Sequence, residues 1–406
     1  MPRNIVLVGL PYDTNLGDQA IFDVTHAMLE EIFAEKDLFD VDIRPMDMTG
    51  RVEIGVNATE AYVKKNFCFR AYRDFYRKVG KKLGFMDPGD LLAIESARIR
   101  CRQVFDNNTC AVIFAGGGII KYKYQRFHSY IASILRYADR RNIPVMLSAV
   151  GVEGYSKTDR KCQLLKRALT RRCVKMISTR DDIDTLKNYF CPKLTDIVRV
   201  ADPACSINVF FPACRSETSN RKTIGLGFVR EKLFTDNGLP FDKEKMLLLW
   251  KEIYELLMSK GYDVKLFCNG AKSDHAMILD WMEYMGFSDN VKAELCFTRP
   301  ESSGELINII SGLDGIISCR LHTSILAYSY SVPFVSLVWN DKQIFFGECI
   351  SHPERIICLN DFDAKLIVDR LESALSQADT VQPCEAYCGT TKEYLCEFVS
   401  RYILNQ

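Results

Sequence analysis

Residues 314–333 read Asp314-Gly-Ile-Ile-Ser-Cys-Arg-Leu-His-Thr-Ser-Ile-Leu-Ala-Tyr-Ser-Tyr-Ser-Val-Pro333. The run 315–318 is short and apolar, as a buried strand is. Residues 323–331 read as a helix. Pro333 opens another strand over 333–337. Strand, helix and strand in such close succession belong to a parallel sheet flanked by helices.

The same alternation extends in both directions. Upstream, strands are predicted at 223–228 and 263–268, with helices at 243–260, 275–285 and 303–311. Downstream, helices are predicted at 364–376 and 391–404. A first series precedes these. Its strands are predicted at 4–9, 41–45, 111–115, 144–150, 175–178 and 197–201. Its helices fall at 18–34, 125–141, 158–173 and 183–189. Residues 211–223, FPACRSETSNRKT, are polar and irregular and read as a linker. The fold class is therefore α/β, with two doubly wound, Rossmann-like domains facing across a cleft. The expected bounds are 1–212 and 213–380, with 381–406 a terminal helix packing back on the first domain. In such sheets ligands sit outside the carboxyl ends of the strands.

Composition excludes several classes. The 406 residues are 48% hydrophobic and 26% charged, with a formal net charge of +1, so no global field draws in nucleic acid. No apolar stretch approaches the roughly 20 residues of a spanning helix. The N-terminus, MPRNIVLVGLPYDTNLGD, lacks a cleavage site and reads as a strand, not a signal peptide. The 16 cysteines would stay reduced in the cytosol, which is the expected location. Cys384, Cys388 and Cys396 lack a fourth ligand and CxxC pairing. They read as small thiols, with a metal site the alternative.

Five loops at strand ends are candidates for chemistry. After the first strand come Asn15, Gly17 and Asp18. Asp18 reads as a helix cap, or with Asn15 as a hydrogen-bonding pair facing the cleft. After 111–115 come Gly116, Gly117 and Gly118, which read either as a tight turn or as exposed amides for a ligand. They fit neither a Walker loop nor a dinucleotide fingerprint. Ser178-Thr-Arg-Asp places Arg180 where it grips an anion or pairs with a neighbouring carboxylate. In the opening stretch, Arg320 and His322 sit at a helix N-terminus, an anion site with a proton-exchanging group built in. Lys342, after the strand at 333–337, is a further phosphate contact or an exposed lysine.

Taken in order, these segments resemble the polysaccharide pyruvyl transferase family. The resemblance rests on Asn15-Leu-Gly-Asp-Gln, Gly116-Gly-Gly, Ser178-Thr-Arg-Asp, Ala201-Asp-Pro-Ala, Arg320-Leu-His and Asp341-Lys, and covers most of the chain. It implies a GT-B-like fold and phosphoenolpyruvate as donor, with no metal or organic cofactor. It implies a saccharide acceptor of surface polysaccharide, capsule or exopolysaccharide. Arg320 and His322 match the family's donor-site Arg and His and are the implied catalytic pair. Arg180, Leu321 and Lys342 join them in donor binding. Asn15, Asp18, Gly116, Gly117, Gly118 and Asp202 fall on the acceptor side. The implied reaction has His322 protonate the donor methylene while two sugar hydroxyls form a cyclic ketal. Positive groups around His322 oppose its charged form, so donor binding is expected to take up a proton.

Residues from about 50 to 105 carry no motif that anchors them to the family. Within them, 62–85 carry Phe69, Tyr72, Phe75 or Tyr76, Val79 and Leu83 at helical spacing, with eight cations and one acid, Asp74. This reads as an amphipathic helix packed on the domain, or as a peripheral membrane contact suited to a lipid-pyrophosphate-linked acceptor. Two other functions compete. A glycosyltransferase on the same architecture would bind a nucleotide sugar, with Glu301 or Glu305 on the ribose. A non-catalytic binding member would keep the fold alone.

Overall fold

The computed structural model describes residues 2–123, 125–190, 196–213, 221–377 and 382–404. The chain forms two compact units. The first comprises Met1–Asp13, Ile21–Pro203 and Gly389–Gln406, and the second Thr14–Ala20 and Ala204–Cys388. The division at Pro203 differs from the expected 212. The cause is local: the Asn208 amide donates to Ser329 Oγ (3.1 Å) and the Tyr330 hydroxyl to the Phe211 carbonyl (2.5 Å), which tie this segment to the second unit. Of the expected linker, residues 214–220 lie outside the described residues.

The first unit holds six parallel strands: β1 (Arg3–Gly9), β2 (Val41–Asp47), β3 (Thr109–Ile120), β4 (Val145–Val152), β5 (Val174–Thr179) and β6 (Asp196–Arg199). Their order is β2-β1-β3-β4-β5-β6. Helices covering both faces leave no room for polar alternation, and β4 is buried at every position. Val6, Val112, Phe114, Leu147 and Ile177 form the centre of the core. The helix expected over 158–173 is shorter, Arg160–Leu169, because the Asp159 carboxylate caps it by accepting from the Lys161 and Cys162 amides. Residues 50–105, which the sequence left unassigned, contain helices Ala58–Lys65, Phe67–Phe75 and Pro88–Val104. The single helix expected over 62–85 is interrupted at Asn66, whose side chain accepts from the Cys68 amide and starts the second piece.

The second unit holds β7 (Thr223–Gly227), β8 (Asp263–Phe267), β9 (Gly315–Ser318), β10 (Phe334–Leu337) and β11 (Ile356–Ile357), all parallel, in the order β11-β10-β9-β7-β8. Its core centres on Phe228, stacked on Trp250 at 4.7 Å, and on the fully buried Trp281. The two parallel sheets with interleaved helices are those expected from the sequence.

The terminal helix, Glu385–Tyr402, begins before the expected residue 391. Leu395, Phe398 and Val399 are fully buried. Thr391 Oγ1 donates to the Ala201 carbonyl (2.6 Å), and the Ala201 amide donates to Thr390 Oγ1 (2.9 Å), so this end is stitched to the first unit after β6. Truncating Phe398 to Ala should cost about 3–5 kcal/mol, read by urea unfolding of the whole chain. A second stitch is Asp106, before β3, which accepts from Asn4 Nδ2 (2.9 Å), Arg44 Nη1 (2.6 Å) and the Asn108 amide (2.9 Å). The Asn4 hydrogen bond, then Arg44 and the amide, hold its carboxyl down to about 2. Its folded pKa lies below the unfolded one, so its stabilisation is present above about pH 4 and is lost as pH falls toward 2. Asp106→Asn should flatten the acid limb of stability in that window.

Candidate functional site

In the second unit the chain leaves β7 and β9 in opposite directions. The carboxyl ends of these two neighbours are the switch point where an open α/β sheet admits ligands. Phe228–Arg230 follow β7, and Cys319, Arg320 and Leu321 follow β9. Arg320 is the residue before helix Leu321–Ser329 and supplies no side-chain cap to it. Its guanidinium turns instead to Asp274, with Nε 2.9 Å from Oδ2 and Nη2 2.8 and 2.6 Å from the two oxygens. Asp274 is fully buried in the first turn of helix Lys272–Tyr284 and also accepts the Arg230 amide at 2.9 Å. This leaves Nη1 of Arg320 as the edge without a hydrogen bond among the described residues.

The peptide before Arg320 is held from the other side. Trp339 Nε1 (2.8 Å) and Gln343 Nε2 (3.2 Å) both donate to the Cys319 carbonyl. Gln343 is buried and follows β10. Lys342 precedes it in helix Asp341–Cys349, where its amide donates to the capping Asn340 side chain. Sequence reading singled out this stretch for Lys342. The structure shows that Trp339 and Gln343 reach the Arg320 loop.

His322, nearly buried, lies in the first turn of helix Leu321–Ser329. A Cβ placed on Gly17 would fall 2.2 Å from its Cγ and Nδ1 and 2.4 Å from its Cβ, so a glycine here lets two backbones close on one imidazole. The segment Thr14–Ala20 is fastened to this unit by the Leu16 amide donating to the Asn269 carbonyl (3.1 Å) and by Gln19 Oε1 accepting the Ser303 amide (2.5 Å). Asn15 and Asp18, expected on the acceptor side, thus belong to the same compact unit as His322. Their side chains bond to each other, Asn15 Nδ2 to Asp18 Oδ2 at 2.8 Å. Asp18 is not the cap itself. The helix begins at Leu16, and Asp18 lies in its first turn.

Asn269, after β8, was not foreseen. It is 1% exposed, its Oδ1 accepts from Thr323 Oγ1 at 2.7 Å, and among the described residues its Nδ2 has no hydrogen-bond partner. A buried, unspent donor beside the helix start is where an anionic ligand would gain most. Its sequence signal is Asn269-Gly270 at a strand's carboxyl end, the same position that marked Arg320. Asp274 gave no such signal, because an acid at a helix start reads as a cap. Glu301 and Glu305 are engaged locally: Arg299 pairs with Glu301, and the Glu301 amide donates to Glu305 Oε2 at 2.9 Å. A pocket of about 500 Å³ opens along Arg230, Lys232, Lys243, Ser273 and Asp280, but neither Arg320 nor His322 lines it.

The remaining expected residues lie in the first unit. Gly116, Gly117 and Gly118 do not form a free loop. They continue β3, which is irregular between Gly117 and Ile120. Gly116 and Gly117 have φ of 70° and 79°, and a Cβ on Gly116 would meet the Ser148 and Ala149 carbonyls at 3.2 Å. Their first demand is steric, from the neighbouring strand. Arg180 is buried at the end of β5 and paired with Asp202, which follows β6. Asp181, adjacent, accepts the Val152 amide at 2.9 Å. Among the described residues no three His, Cys, Asp or Glu side chains come together in a way that holds a metal. Cys388 is buried, while Cys384 is exposed.

Two substitutions test this construction. Asp274→Ala would leave Arg320 without its counter-charge and should cost about 3 kcal/mol in urea unfolding. Gly17→Ala would drive a methyl into His322 and should cost about 1–3 kcal/mol while shifting the imidazole proton resonances.

Among curated proteins no match is found. Among solved structures, a UDP-N-acetylglucosamine 2-epimerase assigned in Listeria monocytogenes is similar at 10% identity and a TM-score of 0.59, covering 100% of this chain and 98% of that one. MnaA of S. aureus, solved with UDP, is similar at 9% identity and 0.59, covering 99% and 97%. The UDP-GlcNAc 2-epimerase of Methanocaldococcus jannaschii is similar at 10% and 0.57, covering 98% and 100%. At these identities the likeness shows the fold alone, a GT-B-like pair of Rossmann-like units. The sequence carries more: the polysaccharide pyruvyl transferase family model matches residues 15–341, a span that includes Asn15, Gly116–Gly118, Arg180, Asp202, Arg320 and His322, and the chain belongs to that family.

Proposed function

We propose that this protein transfers the pyruvyl group of phosphoenolpyruvate to a pair of sugar hydroxyls as a cyclic ketal, during synthesis of a capsule or exopolysaccharide. The observation that carries this reading is the Arg320 guanidinium, anchored through one edge by Asp274 and, among the described residues, left with Nη1 unbonded beside a helix start. The donor bears a phosphate and a carboxylate on one carbon, and such a pair is suited to a guanidinium, helix amides and a spare amide donor such as Asn269. Arg180 and Lys342 are further cations for the donor, and Leu321 carries the first helical amide. Asn15, Asp18, Gly116, Gly117, Gly118 and Asp202 are assigned to the acceptor side.

In the proposed reaction, protonated His322 donates to the methylene carbon, making it a methyl group and leaving C2 electrophilic. One sugar hydroxyl adds to C2, and phosphate departs with the electrons of its C–O bond. The second hydroxyl closes the ketal. Of the two hydroxyl protons, one replaces that given by His322 and the other leaves with phosphate. No cofactor enters, because the donor carries its own leaving group. Sixteen cysteines, fourteen of them free among the described residues, suit a reducing cytosol. Among the described residues no helix is long and apolar enough to cross a membrane. An acceptor carried on a lipid pyrophosphate would be met at the inner face of the membrane.

Thermal unfolding with phosphoenolpyruvate tests the donor. At about 100 times its dissociation constant the ligand should add roughly 2.7 kcal/mol, and Arg320→Ala should abolish the shift. A shift with a nucleotide sugar and none with phosphoenolpyruvate would instead favour a glycosyltransferase. Retained saccharide binding without phosphate release would favour a non-catalytic member. Calorimetry in buffers of different ionisation heat should also show proton uptake on donor binding. Its absence near neutral pH would remove His322 from the acid role.

A further inference from the structure

We propose that residues 58–86 form a docking surface for an anionic lipid bilayer. Ten of the nineteen exposed large hydrophobic side chains among the described residues lie between 52 and 86. Had the segment been an ordinary core helix, its apolar stripe would be covered. Only its start is. Phe69 is buried with Val63 and Leu92 in a small cluster of their own, which seats the two short helices on helix Pro88–Val104. The rest of the stripe faces outward: Phe75 is 41% exposed, Val79 45% and Leu83 64%, beside Phe67 at 75%. Residues 83–86 fold back on this face. The Tyr72 hydroxyl donates to the Met86 carbonyl at 2.6 Å, and the Phe75 and Phe85 rings meet edge-on at 5.3 Å. Tyr72, Phe75, Phe85 and Met86 are thereby gathered in one place.

The charges on the segment are equally one-sided. Lys64 bonds Glu60 at 2.9 Å, and Arg73 approaches Asp74 at 3.7 Å. Lys65, Arg70, Arg77, Lys78, Lys81 and Lys82 are exposed and, among the described residues, form no ion pair. A polyanion would use these cations and leave the aromatic side chains in water. An apolar protein partner would leave the cations unanswered. An anionic bilayer takes both at once, with aromatic and aliphatic side chains at headgroup depth and lysines against the surface charge. This surface stands on its own and does not depend on the identity of the donor.

The test is co-sedimentation of the full-length protein with vesicles of phosphatidylcholine, alone or mixed with phosphatidylglycerol. Recovery should be strong only with the mixed vesicles and should fall with salt. Each cation near such a surface is worth about fivefold in partitioning, so Lys78→Gln with Lys81→Gln and Lys82→Gln should weaken binding on the order of a hundredfold. Phe67→Ser with Leu83→Ser, at two of the most exposed positions of the face, should weaken it about tenfold with the charges intact. Both variants should keep the thermal midpoint of the parent. Equal recovery on neutral and mixed vesicles overturns the proposal. So does a serine variant that binds as well as the parent, which would mark a surface for polyanions. A serine variant that converts a dimer to a monomer without changing vesicle recovery would assign the face to a second copy of the chain.

Discussion

Asp274 has no exposed surface, and a carboxylate in that position needs its charge answered and its oxygens bonded. Arg320 answers the charge through Nε and Nη2, and the Arg230 amide takes part of what remains. Three loops are fixed by this one group: the one after β7, the one after β9, and the first turn of helix Lys272–Tyr284. The guanidinium is planar, so bonding Nε and Nη2 also sets the direction of Nη1. A long, flexible side chain becomes a rigid donor aimed from the switch point of the sheet. The loss of rotamer freedom is borne by the fold and not by ligand binding, which is how preorganised sites gain affinity.

Around that pair the unit is braced with uncharged bonds. Trp339 and Gln343 hold the Cys319 carbonyl, and Asn269 holds Thr323. Leu16 and Gln19 bring the segment with Gly17 against His322, where any side chain larger than hydrogen would collide with the ring. The first unit has its own buried ion pair, Arg180 with Asp202, at the ends of β5 and β6. In both units, then, an arginine at a strand's carboxyl end is oriented by an aspartate from a neighbouring loop. Such pairs cost desolvation, and removing either partner would leave the other as an unanswered buried charge.

The sheets illustrate how far pattern reading reaches. A parallel strand is buried on both faces and shows as an apolar run, so β1, β4, β7, β9 and β10 were visible within a residue or two. The two-residue β11 was too short to register. Gly116–Gly118 read as a turn because glycine interrupts a strand pattern, yet they continue β3 with a bulge. The contact that requires them comes from β4, about thirty residues further on. The segment 62–85 had helical periodicity throughout, but Asn66 offered its side chain to the next helix and split it in two. Whether its apolar stripe was core or surface depended on what covered it, and periodicity does not carry that information.

The sequence by itself determined the fold class, the family, and the strand ends that carry the candidate site residues, because these depend on local periodicity and on which residues directly follow each strand. Arg320 and His322 were legible for that reason. Tertiary structure alone decided what each of those groups meets. Asp274 lies 46 positions before Arg320, Gly17 is remote in the chain from His322, and Asn269 gains its meaning from Thr323 and Leu16. Long-range pairs of this kind are set by sheet order and loop closure, and a residue's own neighbourhood in the chain holds no record of them.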